Sequence, residues 1–173
     1  MTIFLIGMPA SGKTVVGKAL AEHLQIPFFD TDDIISNLEN ATISEIFSQK
    51  GEEYFRKLEL ELVENWKLTN VVVATGGGLP CHHDAIDVLN TKGITVWIQA
   101  NLSLITERLH NDDHKRPMFA NKSKAEISKV IYTIAKERKM YYEKSKIKVR
   151  IQDEQAETVR KILKAIYSIK CLH

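Results

Sequence analysis

Gly7-Met8-Pro9-Ala10-Ser11-Gly12-Lys13-Thr14 is a complete GxxxxGK[ST] phosphate-binding loop near the start of the chain. It follows the apolar run 3–6 and precedes a helical pattern that begins near Val15. The glycines of such a loop let backbone N–H groups point inward, toward phosphate oxygens at the positive end of the next helix. The motif places Lys13 against the β- and γ-phosphates and the Thr14 hydroxyl on a bridging Mg²⁺. It predicts nucleotide-phosphate binding, and the alternative is a glycine-rich turn kept for packing.

Length and composition are those of an ordinary globular protein. The chain has 173 residues, of which 44% are hydrophobic and 27% are charged. Because about 100–200 residues make one domain, we expect a single domain over residues 1–173. Lys and Arg total 24 against 22 for Asp and Glu, a balance that disfavours a surface for nucleic acid.

The lack of a recognisable targeting signal and the spacing of the cysteines favour a cytoplasmic location. The apolar run 3–6 is too short for a membrane span or for the core of a signal peptide. Cys81 and Cys171 lack metal-ligand or CxxC spacing, so we expect reduced thiols. A metal site at Cys81-His82-His83 is disfavoured because it would need further ligands. The predicted partners are small molecules, without nucleic acid or membrane, and we expect a monomer.

Strand-like and helical patterns alternate along the chain. Short apolar runs, typical of strands buried on both faces of a parallel sheet, lie at 3–6, 27–30, 71–74, 95–98 and 147–151. Apolar residues three and four apart predict helices at about 15–24, 32–38, 43–49, 51–68, 82–91, 101–111, 123–144 and 155–169. This order predicts an α/β fold of three layers, α/β/α, with a five-stranded parallel sheet. Ligands of such sheets bind outside the carboxyl ends of the strands.

Acidic residues and glycines follow two of these strands. Asp30 ends its strand beside the phosphate loop, where a carboxylate can hold Mg²⁺ through its water shell. Asp32 would face the acceptor side, hydrogen-bond an acceptor hydroxyl and take its proton. The alternative is that one of these aspartates, or Asp33, caps the next helix. Gly76-Gly77-Gly78 would let a ligand approach the backbone, and the alternative is a tight turn reinforced by Pro80.

Three arginines have plain interpretations as charged surface residues, and one of them, Arg116, also has a functional interpretation. Arg116 follows the polar stretch 111–115, which is typical of a mobile loop. A basic residue there would neutralise the migrating charge of phosphoryl transfer, or it would simply be solvated. Arg56 lies among glutamates on a charged helix and is most simply a surface ion-pair partner. Arg138 lies late in a long amphipathic helix, where its plain interpretation is one more exposed charge.

Taken together, these residues resemble the shikimate kinase family, within the nucleoside-monophosphate-kinase-like group of phosphate-loop proteins. The resemblance extends from about residue 3 to residue 151 and does not rest on the phosphate loop, which many families share. The segment 51–59 matches the family's GE-x-x-FR-x-x-E pattern in full. The other segments that carry it are Asp30-Thr31-Asp32, Thr75-Gly76-Gly77-Gly78, Arg116-Pro117, and Arg138 four residues before Tyr142.

The resemblance implies an ATP-dependent phosphotransferase of aromatic amino acid and chorismate biosynthesis. The reaction moves the γ-phosphate of ATP to the 3-hydroxyl of shikimate, with Mg²⁺. The single kinase domain would carry an acceptor-binding segment at about 31–60 and a mobile lid at about 110–122. Arg56 and Arg138 would face the shikimate carboxylate, and Asp32 the ring hydroxyls. With the glycine wall, the implied acceptor-binding residues are Asp32, Arg56, Gly76, Gly77, Gly78 and Arg138.

The resemblance also assigns the nucleotide side of the site. Thr14 and Asp30 would hold Mg²⁺, and Arg116 would be the lid arginine that reaches the transferred phosphate. Arg108 is similar in placement to the arginine that stacks on adenine. The implied ATP-binding residues are Ala10, Ser11, Gly12, Lys13, Thr14, Val15, Arg108 and Arg116. The implied catalytic residues are Lys13, Asp32 and Arg116.

The chain departs from the family's pattern at three places. Met118-Phe119 replaces two leucines, and Met140 replaces a common proline, so the helix through Arg138 is expected to continue unbroken. The stretch 152–155 lacks the family's proline-bearing adenine loop. Two alternatives stay open: another small-molecule kinase, such as a gluconate or nucleoside monophosphate kinase, and a non-enzymatic nucleotide switch. Neither explains the set formed by Asp32, Arg56 and Arg138.

Overall fold

The fold is a parallel β-sheet with helices on both faces. A computed structural model describes residues 1–112, 117–119, 121–151 and 155–170. The strands are β1 Thr2–Ile6, β2 Phe28–Asp30, β3 Val71–Ala74, β4 Gly93–Gln99 and β5 Ile147–Arg150. They pair in the order β2-β3-β1-β4-β5, and every pairing is parallel. The predicted three-layer α/β fold with five parallel strands is confirmed.

Seven α-helices and two short 3₁₀ helices lie within the described ranges. The α-helices are α1 Lys13–Leu24, α2 Thr31–Glu39, α3 Ile43–Glu64, α4 Ala85–Lys92, α5 Leu102–His110, α6 Lys124–Tyr142 and α7 Gln155–Lys170. The 3₁₀ helices are Leu79–Cys81 and Pro117–Phe119. None of the helices described here is long and apolar enough to cross a lipid bilayer.

The central strand β1 shows why the apolar runs predicted strands. Ile3 and Leu5 lie in a core cluster with residues of α1 and α7, whereas Phe4 and Ile6 lie in a second cluster with residues of α4, α5 and α6. Successive side chains of a strand point to opposite faces, so a strand covered on both faces is apolar at every position. All five residues of β1 are buried.

Two predicted helix boundaries differ from the structure by three or four residues. The helix predicted to end at 68 ends at Glu64. Beyond that point the Leu68 carbonyl accepts a hydrogen bond from the Thr2 hydroxyl at 2.7 Å, which holds this segment against β1. The helix predicted from 82 starts at Ala85, since His83 and Asp84 have left-handed backbones. The predicted break near residue 50 is present within α3, where Gly51 has φ 83°. The unbroken helix through Arg138 is also confirmed.

Candidate active site

The phosphate loop lies between β1 and α1, at the carboxyl edge of the sheet. Gly7 has φ 142°, and a Cβ there would lie 2.7 Å from the Ile98 carbonyl oxygen. Gly12, with φ 94°, caps the N-terminus of α1 without a side chain, so the α1 N–H groups remain available to an anion. Lys13 Nζ lies over the loop and donates to the carbonyl oxygens of Gly7 at 3.0 Å and Met8 at 2.8 Å.

Thr14 and Asp30 meet where α1 begins and β2 ends. The Thr14 hydroxyl donates to Asp30 Oδ2 at 2.9 Å. The other carboxylate oxygen, Oδ1, accepts a hydrogen bond from the Asp32 backbone N–H at 3.1 Å. Asp30 is therefore the N-cap of α2, and the alternative that Asp32 or Asp33 caps this helix is wrong. A hydroxyl beside one carboxylate suits Mg²⁺, which takes few protein oxygens and keeps several waters.

Each glycine of Gly76-Gly77-Gly78 leaves room for a different neighbour. A Cβ at Gly76 would lie 2.5 Å from Glu59 Oε1 and 2.7 Å from Asp32 Oδ1. At Gly77 it would lie 2.9 Å from Pro9 of the phosphate loop, and at Gly78 it would lie 2.5 Å from Arg56 Nη1. These glycines are thus required for close approach of other groups. The alternative, a tight turn reinforced by Pro80, is present as well, because the 3₁₀ helix Leu79–Cys81 follows the glycines directly.

The acceptor side is a cavity of about 390 Å³ between α3, α6 and the glycine run. The structure brings all six predicted acceptor residues to its wall, although they are far apart in the chain. The predicted residues that line it are Asp32, Arg56, Gly76, Gly77, Gly78 and Arg138. Aromatic and aliphatic side chains form the rest of the wall, including Phe47, Phe55, Met118 and Phe119. We call this space the acceptor cavity.

Arg56 is held by several neighbours in the acceptor cavity. It is only 8% exposed. The predicted ion pairs are present, but the predicted surface position is wrong. Its Nη1 bonds Glu59 Oε2 at 2.6 Å and its Nη2 bonds Glu52 Oε1 at 2.9 Å. The guanidinium carbon lies 5.7 Å from the Phe47 ring centre and 5.4 Å from that of Phe55. Two carboxylates and two rings therefore hold the fork in one orientation.

Sequence reasoning included Glu59 in a motif but assigned it no role in the site. Its side chain is 2% exposed, and Oε1 has no hydrogen-bond partner among the described residues. Burial raises the pKa of Glu59 from its ordinary 4.5 to about 7, although the Arg56 charge opposes that rise. The spacing to Arg56 was a signal that could have identified it, since residues three apart on a helix are neighbours.

The nucleotide side is a second cavity, of about 730 Å³, along the phosphate loop and α1. Arg108 lies on its wall, and its Nη1 donates to the Ala10 carbonyl oxygen at 3.0 Å. Ile151 and Gln155 border the same space, and Gln155 Nε2 donates to the Val15 carbonyl oxygen at 3.1 Å. We call this space the nucleotide cavity.

Some of the residues named in the sequence analysis lie outside the described part of the chain. Arg116, Cys171 and the departure at 152–154 lie outside the described residues. Within the described ranges, no group of three or more His, Cys, Asp or Glu could hold a metal ion. Cys81 is a free thiol, and burial raises its pKa to about 11. Such a thiol is not readily ionised, in agreement with a non-reactive role.

The two cavities share part of their walls. Asp32 and Gly77 line both the nucleotide cavity and the acceptor cavity. The bound phosphate chain and the bound acceptor would therefore meet at these two residues. Such a junction can align a hydroxyl with a terminal phosphate, which is the main requirement of phosphoryl transfer.

Comparison with known proteins agrees with this geometry. The family model described as shikimate kinase matches residues 9–167. The shikimate kinase of Azobacteroides pseudotrichonymphae is 40% identical over 149 residues, which cover 84% of this chain and 86% of that protein. The shikimate kinase structure from Bacteroides thetaiotaomicron has a TM-score of 0.89 and 30% identity, covering 96% of this chain and 98% of its own.

Two further solved structures resemble this chain to different extents. The shikimate kinase from Acinetobacter baumannii, solved in complex with shikimate, has a TM-score of 0.87 and 30% identity, covering 98% of this chain and 94% of its own. A gluconokinase from Sinorhizobium meliloti has a TM-score of 0.53 and 19% identity, covering 97% and 92%, a likeness that concerns the fold alone. The match to the family model and the relatives' coverage of this chain establish that it belongs to the shikimate kinase family.

Proposed function

We propose that this chain transfers the γ-phosphate of ATP to the 3-hydroxyl of shikimate, giving shikimate 3-phosphate and ADP. The observation that carries the proposal is the junction of the two cavities at Asp32 and Gly77. A phosphate-binding loop opens on one side of it, and two arginines and a carboxylate surround the other. Membership of the shikimate kinase family supports the same reaction and the use of ATP.

On the acceptor side, Arg56 and Arg138 bind the shikimate carboxylate. Both line the acceptor cavity, and the planar fork of a guanidinium matches a carboxylate through two parallel hydrogen bonds. Asp32 accepts a hydrogen bond from the reacting hydroxyl and takes its proton as the new P–O bond forms. The backbone of Gly76, Gly77 and Gly78 closes the wall beside the ring.

On the nucleotide side, backbone N–H groups of residues 10–15 and the Lys13 ammonium bind the phosphates. In the structure Lys13 Nζ bonds the carbonyl oxygens of Gly7 and Met8, which places its charge over the loop where the phosphates bind. Thr14 and Asp30 are the residues that would hold Mg²⁺, which would neutralise part of the charge on the phosphates. Arg108 packs beside the adenine.

The lid excludes water and completes the charge around the transferred phosphate. Phe119 is buried in the core, whereas Met118 is half exposed and lines the acceptor cavity. Phe119 therefore anchors this segment while Met118 covers the acceptor. Arg116, just before the 3₁₀ helix, is proposed to reach the transferred phosphate on closure, so that water does not become the acceptor.

The remaining assignments stay predictions. These are the single domain with its acceptor segment at about 31–60 and lid at about 110–122, the monomeric state, the cytoplasmic location and the lack of nucleic-acid partners. The balanced charge, 24 basic against 22 acidic residues, supports the last of them.

A coupled ADP-release assay tests the proposed reaction. Shikimate, quinate, gluconate and nucleoside monophosphates are compared as acceptors, with ATP and Mg²⁺ present. We expect turnover with shikimate at a kcat/KM far above that of any other acceptor. Preferential turnover of gluconate or a nucleotide would indicate another small-molecule kinase. Nucleotide binding without turnover of any acceptor would indicate a nucleotide switch, and either result would overturn the proposal.

A further inference from the structure

A third cavity lies between α6 and the carboxyl end of β4, apart from the two cavities described above. Its volume is about 240 Å³, and Trp97, Leu102, Ala135, Lys139, Tyr142 and Arg150 are on its wall. Sites for drug-sized ligands are typically about 300–1,000 Å³, so this one suits a molecule with a single ring. We call it the α6 cavity and infer that it binds a single-ring aromatic carboxylate.

Two aromatic side chains form the floor of the α6 cavity. The rings of Trp97 and Tyr142 have centres 5.6 Å apart and planes inclined at 38°. Tyr142 is fully buried and Trp97 is half-buried, so part of the indole face is open to the cavity. Leu102 and Ala135 add aliphatic surface beside it. A flat apolar ring would find favourable stacking and burial there.

Strand pairing brings Arg150 to the same side of the sheet as the indole. Gln99 pairs with Arg150, and Trp97 pairs with the residue two before it, Lys148. The alternate residues of β5, Ile147 and Val149, are buried in the core cluster on the opposite face. Because side chains alternate along a strand, Arg150 lies on the face that carries Trp97.

The cationic rim of the α6 cavity lacks a matching acid on its wall. No Asp or Glu lines this cavity, whereas Lys139 and Arg150 both do. The Arg150 side chain has no hydrogen bond or ion pair to any residue in the described part of the chain. Lys139 lies 3.7 Å from Glu143, and both side chains are exposed, so that pair is weak. A guanidinium above an aromatic floor matches a carboxylate attached to a ring.

The α6 cavity is separate from the acceptor cavity but connected to it by one hydrogen bond. Arg138 lines the acceptor cavity, while Lys139 and Tyr142 line the α6 cavity. The Tyr142 hydroxyl donates to the Gly77 carbonyl oxygen at 2.7 Å. A ligand that displaces the Tyr142 ring therefore shifts the wall of the acceptor cavity, and its occupancy alters the KM for shikimate.

Tryptophan fluorescence of the intact protein tests the site directly. Sodium benzoate is titrated into protein already saturated with shikimate, so that the arginines of the acceptor cavity are occupied. We expect a saturable change in tryptophan emission, and weaker binding of the uncharged benzyl alcohol. Arg150→Gln should weaken benzoate binding at least about tenfold, because it removes a charged hydrogen bond. The matched control, Lys148→Gln, lies on the same strand and should change binding less than about twofold.

Several outcomes would overturn the inference. One is the lack of a saturable emission change, and another is equal weakening by both variants, which would indicate general charge attraction. If Arg150 only protects the edge strand from other chains, Arg150→Gln will increase self-association and leave the benzoate titration unchanged. A KM for shikimate that is identical with and without saturating benzoate would overturn the connection through Tyr142.

Discussion

Arg56 Nη1 donates a 2.6 Å hydrogen bond to Glu59 Oε2, and both side chains are almost completely buried. The acid therefore fixes the arginine that is proposed to bind the shikimate carboxylate. Two opposite charges that are buried together attract each other strongly, but burial also removes most of the water that stabilises each charge. For Glu59 the loss of water dominates, since its pKa rises to about 7. This balance makes the pair sensitive to pH.

The first prediction concerns stability and pH. The pKa of Glu59 in the folded chain lies above its ordinary 4.5, so its favourable contribution is complete below pH 4.5 and is lost as pH rises through 7. Between pH 5 and pH 8 the wild type should lose about 2 to 3 kcal/mol from this group. The Glu59→Gln side chain does not titrate between pH 5 and pH 8, so the loss of stability of this variant over that range should be smaller by about 2 to 3 kcal/mol. Urea unfolding of both proteins at the two pH values measures the difference, and parallel curves would contradict it.

The second prediction concerns Gly78→Ala. The new Cβ would lie 2.5 Å from Arg56 Nη1, while φ −87° at this position suits any residue. We expect the guanidinium to shift, the KM for shikimate to rise about tenfold, as the loss of one charged hydrogen bond would cause, and the KM for ATP to stay the same. Steady-state kinetics with each substrate varied measures both values. An unchanged KM for shikimate would show that Arg56 need not occupy this position.

The third prediction concerns the second arginine of the acceptor cavity. Arg138→Lys keeps the charge and removes the planar fork, so shikimate binding should weaken about tenfold or more while ATP binding changes little. The control is Lys136→Arg, an exposed position on the same helix, which should leave both affinities unchanged. Calorimetric titration with each substrate measures the effect. An equal loss of nucleotide affinity would place Arg138 on the other side of the junction.

The fourth prediction separates two roles of Asp30. Its carboxylate caps α2 and accepts the Thr14 hydroxyl. Asp30→Asn keeps a good capping residue, so unfolding stability should change by less than about 1 kcal/mol. The loss of negative charge should raise the Mg²⁺ concentration needed for half-maximal activity by about tenfold or more. Asp30→Ala should lose the cap as well and cost about 1 kcal/mol in stability. An unchanged Mg²⁺ requirement in both variants would contradict the proposed metal site.

The prediction of the strands succeeded because local pattern and tertiary environment agreed. The runs at β1 and β3 are apolar at every position, which only burial on both faces of a parallel sheet explains. Helix ends were predicted less well. Near Glu64 the distant Thr2 hydroxyl bonds the Leu68 carbonyl, and before Ala85 the backbones of His83 and Asp84 are left-handed, and apolar spacing signals neither feature. The cap of α2 was left open among Asp30, Asp32 and Asp33, and the structure places it at Asp30. Its position depends on where β2 ends, and β2 ends at Asp30 through its pairing with β3.

The amino-acid sequence by itself determined the phosphate loop, the alternation of strands and helices, and the family, because each depends on residues that are close together in the chain. Only the tertiary structure decided that Arg56 is buried, that each of three glycines makes room for a different neighbour, and that Glu59 faces Asp32 beside Gly76. These relationships join residues tens of positions apart. They exist only when the parallel strands bring their carboxyl ends to one edge, and local sequence patterns do not encode such distances.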